Sequence, residues 1–413
     1  MLSVASFAFI FSVCDASTLP LLSKGSLREN PFFVSGLILI AINLIQVLNP
    51  YAKVVEFYGY QTVQFLEYVK FLPSGIVRDW GLRDSFFVLL QLAATWYVAM
   101  SSWKLLREDS MFARRFIKFL AINGTLIAVL GVAQELTNAK GIYWLIPTNS
   151  HFYSTFGLRS IAGDFIFGSF LCCVSWSISN FNRCKYFQLV FSLICALVCM
   201  VSCSLSKSNG AVGVLIITIV AMLLFALWRV ARKSSYRTIL CVGFISLCFV
   251  SCGFLYTNFG GQMREQIILR IKSVNSSLSP RLDLFENSLK VFESSPILGI
   301  GSGAYGVRSE ILSPQSEYRG QYKIFLNSAH NDLLEYLCEY GFFALASIVL
   351  FFIIWLRGLL RATWSIHNSV FLWGCVMYIL HSMFDMPLHT PSTMFAFVFF
   401  ISLSTVNFRG QKC

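Results

Sequence analysis

Charge is the scarcest property of this sequence. Only 13% of its 413 residues are Asp, Glu, Lys or Arg, 56% are hydrophobic, and the mean hydropathy is +0.67. A soluble domain carries about 25% charged residues, because it needs polar surface to stay in water. The shortage excludes a water-soluble chain and predicts an integral membrane protein.

The sequence also lacks the signs of a metal site, a disulfide framework or a repeat. None of its 13 cysteines lies in a polar loop at zinc-ligand spacing. Most fall in apolar stretches, where a free thiol behaves as a small buried hydrophobe. No internal repeat or low-complexity tract interrupts the chain. We therefore expect no metal, no cofactor and no disulfide.

Apolar runs long enough to cross a bilayer recur along the chain. The first run lacks a preceding basic segment and a small-residue cleavage site, so we interpret it as a span rather than a signal peptide. The pattern predicts an all-α polytopic membrane protein with about 11–12 transmembrane helices. The predicted spans lie near residues 1–20, 33–49, 84–104, 116–136, 161–180, 186–205, 210–229, 238–256, 333–356, 369–386 and 391–408.

One connection is far longer than the others. Residues 257–332 separate N-terminal membrane helices (1–256) from C-terminal ones (333–413), within a single integral membrane domain. Long loops with structure of their own are usually functional. We expect the chemistry of the protein to involve this loop.

The sequence of the long loop predicts local structure in two places. Ser279 and Pro280 are typical of a helix start, and apolar residues at helical spacing continue the pattern to about Glu293. The stretch 296–306 is rich in glycine and predicts a turn. It lacks the strand and helix context of a nucleotide-binding loop. The loop is thus expected to contain short helices.

Basic residues in the short loops set the orientation. The net charge of +12 is concentrated on one side of the predicted spans, which the positive-inside rule assigns to the cytoplasm. Nucleic-acid binding is therefore not needed to explain the charge. The aromatic-rich stretch 50–83, the stretch 137–160 and the long loop 257–332 then face outward. The cytoplasmic basic residues are Lys24, Arg28, Lys104, Arg107, Arg114, Arg115, Lys118, Arg183, Lys185, Arg229, Arg232, Lys233, Arg237, Arg357, Arg361, Arg409 and Lys412.

Three outward cations are candidate anion ligands. Arg281 occupies the first turn of its predicted helix, where the macrodipole disfavours a cation unless an anion binds there too. Its alternative is an ion pair with Asp283 or Glu286. Lys207 lies in a short polar hairpin and either extends to the membrane interface or binds phosphate. Arg159 precedes a span, and its alternative is an interfacial anchor.

His330 is the candidate general base. It stands in a polar run before a predicted span, and an imidazole titrates near neutrality. We expect Asn331 and Asp332 to support it, because an adjacent Asp can orient the ring. The alternative is a loop histidine without a catalytic role.

Ionisable residues also occur within or at the ends of spans. Asp164, His381 and Asp385 are functional candidates, because such groups are costly in lipid. The alternative is an interfacial carboxylate that pairs with a neighbour such as Arg159.

Several stretches of the chain follow one another in a characteristic order: Ala128–Gln134, Gly141–Trp144, Phe156–Ala162, Leu205–Ala211, Ser279–Arg281, Pro296–Gly301, Ala329–Glu335 and Glu339–Gly341. Their order resembles the bacterial O-antigen ligase and O-antigen polymerase superfamily. The resemblance implies a GT-C-like fold and an undecaprenyl-pyrophosphate-linked glycan as donor, without a nucleotide sugar. Ligases of this group transfer the glycan to lipid A-core, and polymerases transfer it to another lipid-linked repeat unit.

The resemblance also implies roles for individual residues. His330 matches the essential loop histidine of the family, and Arg281 matches the loop arginine that holds pyrophosphate. Lys207 stands where the family has an arginine, and a lysine loses the bidentate fork. Arg159 stands where the family more often has an asparagine.

The sequence thus predicts a glycosyltransferase of the bacterial inner membrane with its active site facing the periplasm. The partners are the lipid-linked donor, a lipid A-core or glycan acceptor and membrane lipids. The transfer is expected to be inverting and metal-independent. One alternative is a polymerase of O-antigen or exopolysaccharide repeat units. Another is a polysaccharide transporter or flippase, which predicts midplane polar residues and inverted repeats.

Overall fold

The computed structural model of the protein describes residues 29–57, 60–78, 84–148, 151–232, 284–312, 318–319, 322–323 and 328–408. Helices dominate these residues, so the predicted all-α polytopic class is confirmed. The predicted spans near 1–20 and 238–256 lie outside the described residues, as does Arg281.

The described helices follow the predicted spans closely. The span predicted at 186–205 coincides with one helix, and the one predicted at 161–180 is extended by two residues at each end. The helices are α1 (Pro31–Leu48), α2 (Ser85–Glu108), α3 (Ser110–Leu136), α4 (Arg159–Asn182), α5 (Tyr186–Leu205), α6 (Asn209–Arg232), α7 (284–294), α8 (Tyr305–Leu312), α9 (Asp332–Tyr340), α10 (Phe342–Arg361), α11 (Ile366–Ser382) and α12 (Pro391–Ser404).

Six of these helices are long and apolar enough to cross a membrane: α1 to α5 and α10. Parts of α6 (Asn209–Phe225) and all of α12 form shorter apolar helices. Large apolar side chains such as Leu126, Phe187 and Leu360 are exposed on the outside of the bundle, where lipid would cover them. The protein is therefore a multi-pass membrane protein.

Small residues allow the central helices to approach closely. Helix α3 buries one stripe that includes Ala121, Gly124, Ala128 and Gly131. A Cβ atom on Gly124 would lie 1.9 Å from Oγ of Ser169 in α4. Close backbone approach through small residues is the usual way in which membrane helices associate. The stripe fixes α3 against α4 and α5.

The span predicted at 333–356 is wrong as a single helix. The chain breaks at Gly341, which has φ 59°, and two helices, α9 and α10, meet there. A Cβ atom at Gly341 would lie 2.5 Å from the carbonyl oxygen of Ile297. Only glycine fits this position, because it needs both the left-handed backbone and the close contact. Helix α9 therefore lies outside the candidate span.

A small sheet is present where the sequence predicted only an interfacial aromatic segment. Strand β1 (Pro50–Phe57) pairs antiparallel with β2 (Tyr60–Phe65) and parallel with β3 (Gly75–Arg78). Its buried residues pack against residues of the long loop in one cluster. The shorter strand pairs are β4 (Gly141–Ile142) with β5 (Ile146–Pro147), and β6 (Tyr318–Arg319) with β7 (Tyr322–Lys323).

The described part of the long loop agrees with the sequence pattern. Helix α7 ends one residue beyond the predicted Glu293, and a glycine turn follows it. Gly299, Gly301 and Gly303 all have positive φ. The turn is held by the rest of the protein, since Gln46 Oε1 accepts from the Ser302 N–H at 3.1 Å. The loop is thus anchored to the end of α1.

The two ends of the bundle differ in charge. At one end Arg361 pairs with Glu29 at 2.8 Å, and Arg114 donates to the Phe408 carbonyl at 2.9 Å. The guanidinium of Arg107 lies over the ring of Trp103, 4.8 Å from its centroid. These residues belong to the basic side predicted from the loops. The other end carries the candidate site.

Candidate functional site

His330 lies immediately before α9 on a strained piece of backbone. Its φ of 49° is in the left-handed region, which a residue with a Cβ rarely adopts. Asn331 caps α9 by accepting from the Leu334 N–H at 3.0 Å, and its amide donates to the Met383 carbonyl at 3.1 Å. Asn331 therefore ties His330 to the C-terminal end of α11. Strain of this kind is concentrated at functional sites.

The carboxylate that faces His330 is Asp385. Nδ1 of His330 lies 3.5 Å from Oδ1 of Asp385, and the histidine side chain is 40% exposed while the aspartate is 12% exposed. The adjacent Asp332, which was expected to support His330, contacts His389 in this structure. The cap at Asn331 begins a helix at Asp332 and directs that side chain to another partner. Asp385 is thus the carboxylate that lies beside the ring, and within the described residues Nδ1 of His330 makes no hydrogen bond.

Asp385 also belongs to a buried cluster with His381 and Asp164. Nδ1 of His381 lies 2.6 Å from Oδ1 of Asp164, and its Nε2 lies 4.0 Å from Oδ2 of Asp385. The intramembrane pattern indicated all three residues, but not that they meet. The partner that the structure gives Asp164 is therefore His381, whereas the sequence had suggested a neighbour such as Arg159. Carboxylates and imidazoles thus alternate in a row of four side chains: Asp164, His381, Asp385 and His330.

Asp332 takes part in a second buried cluster. Its Oδ1 contacts Nδ1 of His389, and its Oδ2 accepts from the Leu388 N–H at 2.9 Å. Nε2 of His389 lies 3.1 Å from Oε1 of Glu335. Burial raises the pKa of Asp332, and the nearby His389 acts in the opposite direction. This cluster joins α9 to the turn before α12 and so holds the segment that carries His330.

Lys207 lies in the hairpin between α5 and α6, at the same end of the bundle. Its backbone has φ 58°, and its ammonium group pairs with Glu135 at the end of α3. Three residues later, a Cβ atom on Gly210 would lie 1.9 Å from Nε2 of His381. The hairpin is therefore packed directly against the His381 cluster.

Arg159 is the first residue of α4, and its backbone N–H donates to the His151 carbonyl at 2.7 Å. Its side chain is half-buried. Asp164 lies further along the same helix. Arg159 therefore lies at the end of the bundle that holds the candidate site.

An apolar cavity of about 390 Å³ opens beside the site. It lies between α1, α2, α10, α11 and α12, and it reaches α9 at Leu333 and Tyr336. Its lining includes Leu39, Trp96 and Phe397. A cavity of this kind accepts a hydrocarbon chain rather than a polar ligand.

Sequence reasoning missed Glu135, Glu335 and Gln134. Glu335 follows Asp332 by three residues, which places both carboxylates on one face of a helix. Gln134 follows Gly131 by three residues on the small-residue stripe of α3. The helical period of that stripe is the signal that would have identified it.

Comparison with known families gives one match. Residues 190–349 match the family model described as O-antigen ligase. The matched region includes Lys207, Arg281 and His330 to Asp332, whereas Asp164, His381 and Asp385 lie outside it. No curated protein matches the chain. The match supports the resemblance predicted from the sequence, so residues 190–349 of this multi-pass membrane protein are similar to the O-antigen ligase family.

Proposed function

We propose that this protein transfers a glycan from undecaprenyl pyrophosphate to lipid A-core at the periplasmic face of the bacterial inner membrane. The observation that carries the proposal is the position of His330: a half-exposed imidazole with its Nδ1 facing a carboxylate, 3.5 Å away. The basic residues gathered at the opposite end of the bundle support the orientation.

His330 acts as the general base in this proposal. Asp385 holds Nδ1 as the protonated nitrogen, so Nε2 is the basic one. Nε2 removes the proton from an acceptor hydroxyl, and the hydroxyl oxygen forms the new bond to the anomeric carbon. The bond from that carbon to the pyrophosphate oxygen breaks on the opposite face. Undecaprenyl pyrophosphate leaves with the electron pair, and the anomeric configuration is inverted.

Cations stabilise the departing pyrophosphate. We assign this role to Arg281, Lys207 and Arg159, so the step is metal-independent. Preorganised charge at a leaving group is usually the largest contribution to catalysis. Lys207 is already paired with Glu135, so a phosphate oxygen must displace this carboxylate.

The apolar cavity gives the isoprenoid chain a place beside the site. Its lining reaches Met383 and Leu388, which flank Asp385 in the chain. A donor whose hydrocarbon lies there presents its diphosphate at the level of His330.

The proposal is tested in a strain that lacks the protein. Wild type, His330→Ala and His151→Ala are returned on a plasmid, and lipopolysaccharide is examined by gel electrophoresis. His151 is a matched control, because it is an exposed histidine in another outward loop. We expect His330→Ala to reduce glycan attachment by about 100-fold or more and His151→Ala to restore it.

The glycan in the deletion strain distinguishes the two acceptors. Long unattached chains indicate a lost ligase, whereas single repeat units indicate a lost polymerase and would contradict lipid A-core as the acceptor. Full attachment with His330→Ala would remove the base from the mechanism.

A further inference from the structure

A polar cavity of about 440 Å³ lies at the outer end of α3. Its lining includes Gln134, Glu135 and Lys140 from the end of α3 and the following loop, Phe152 from the next turn, and Lys207 from the α5–α6 hairpin. It is distinct from the apolar cavity.

Gln134 is unusual among these residues. It continues the buried stripe of α3, after Ala128 and Gly131, and its side chain is only 3% exposed. In the described part of the chain, neither Oε1 nor Nε2 of this amide has a hydrogen-bond partner. Buried amides are normally paired. Gln134 is also one of the residues that line the cavity, so a ligand bound there lies beside this amide.

The amide specifies the chemistry of this ligand. Nε2 of Gln134 needs an acceptor and Oε1 needs a donor. The ionised pyrophosphate diester of a lipid-linked donor has acceptors only, so it satisfies Nε2 and leaves Oε1 unpaired. A sugar hydroxyl donates and accepts, so a pair of neighbouring hydroxyls satisfies both.

The remaining lining fits a sugar ring as well. The ammonium group of Lys140 donates to hydroxyls, while Glu135 and Lys207 pair with each other in the wall of the same cavity. The half-buried ring of Phe152 offers an apolar surface to the C–H face of a sugar.

We propose that this cavity is a saccharide-binding subsite, centred on the Gln134 amide, for a sugar ring of the transferred glycan; the identity of that ligand rests on the proposed function. The hairpin relates the subsite to the chemistry. Lys207 lines the cavity, while Gly210 in the same hairpin contacts His381. A sugar held here lies next to a diphosphate on Lys207.

The test uses the full chain in lipid nanodiscs and saturation-transfer NMR. The probes are the methyl glycosides of glucose, galactose, rhamnose and N-acetylglucosamine, with inorganic pyrophosphate as the anion control. We expect at least one glycoside to receive saturation from the wild type. The signal should fall by about tenfold in Gln134→Met, because both hydrogen bonds are lost, and should be unchanged in His330→Ala.

Several outcomes would overturn the proposal. These are equal glycoside signals in wild type and Gln134→Met, no signal from any glycoside, or a loss of pyrophosphate binding alone. Thermal unfolding of Gln134→Met checks its fold. If that variant does not fold, Lys140→Met at the exposed rim carries the test, and an unchanged signal there counts against the subsite.

The same variants separate this proposal from the proposed function. Gln134→Met should raise the KM for glycan with little change in kcat, whereas His330→Ala should lower kcat. If His330→Ala keeps full transfer while Gln134→Met loses glycoside binding, the mechanism fails and the subsite stands.

Discussion

Nδ1 of His381 lies 2.6 Å from Oδ1 of Asp164, a contact between side chains 217 residues apart in the chain. The two side chains are only 3% and 5% exposed. A buried charged group needs a partner, so each residue depends on the other. The pair joins α4 to α11 directly beneath Asp385.

Removal of Asp164 should therefore destabilise the protein. Asp164→Leu removes the carboxylate at Nδ1 of His381, and breaking a buried pair costs about 3–5 kcal/mol. Asp164→Asn keeps a hydrogen-bond acceptor and should cost less. The unfolding temperature in detergent, measured with a thiol-reactive dye, checks the order. Equal unfolding temperatures for the two variants would contradict it.

Asp385→Asn should reduce transfer while the fold is kept. The amide fills the same space but no longer fixes Nδ1 of His330 as the protonated nitrogen. A general base contributes about 100-fold or more, and a misoriented base should lose a large part of this. The measurement is glycan attachment per unit of membrane protein. Wild-type attachment with Asp385→Asn would show that His330 does not need this carboxylate.

Gly210→Ala tests the contact between the hairpin and His381. The new Cβ atom would lie 1.9 Å from Nε2 of His381, so the imidazole must move and glycan attachment should fall. Gly213→Ala is a matched control in the same helix, because its Cβ would meet no atom within 4 Å. It should keep activity and favour the helix by about 1 kcal/mol. Equal activities of the two variants would contradict the packing argument.

Glu135→Gln should make Lys207 available to an anion. The neutral amide removes the ion pair, so the KM for the lipid-linked donor should fall if Lys207 binds the diphosphate. Lys207→Met provides the background control, in which Glu135→Gln should have no effect on KM. A KM that rises in Glu135→Gln would mean that the carboxylate, rather than the ammonium group, is used by the donor.

His367, at the basic end of the bundle, should make stability depend on pH. Burial, and to a smaller extent the charge of Arg183, lowers the pKa of His367 from 6.5 to about 4. The unfolded chain thus binds a proton that the folded chain does not, so stability is present above about pH 6.5 and falls as the pH drops toward 4. The loss should be about 2 kcal/mol near pH 5. This loss of stability should be smaller in His367→Gln. The unfolding midpoint, measured at several pH values, gives the size of the loss in both proteins.

The sequence predicted types of residue better than it predicted their contacts. His330, Asp164, His381 and Asp385 were candidates because each is chemically costly or reactive where it stands. Their meeting depends on how α11 packs against α4, and no local pattern contains that information. Asp332 illustrates the point, because proximity along the chain suggested His330 as its partner and the fold gives it His389.

Two features of the fold were not predicted from the sequence patterns. The window over 333–356 is apolar on average, so it predicted one span although Gly341 lies within it. The segment 50–83 shows aromatic residues rather than a clear alternation, so the sheet formed by β1, β2 and β3 was not predicted. Both features are stabilised by contacts with the long loop, which lies far away in sequence.

The break at Gly341 separates the acidic residues of α9 from the candidate membrane-spanning helix α10. Had α9 and α10 formed one continuous rod, Asp332, Glu335 and Glu339 would share a single axis with a lipid-crossing segment. Each carboxylate drawn toward the hydrocarbon centre costs about 3 kcal/mol. By ending α9 where α10 begins, one glycine leaves these acids outside the candidate membrane-spanning segment, which begins at Phe342.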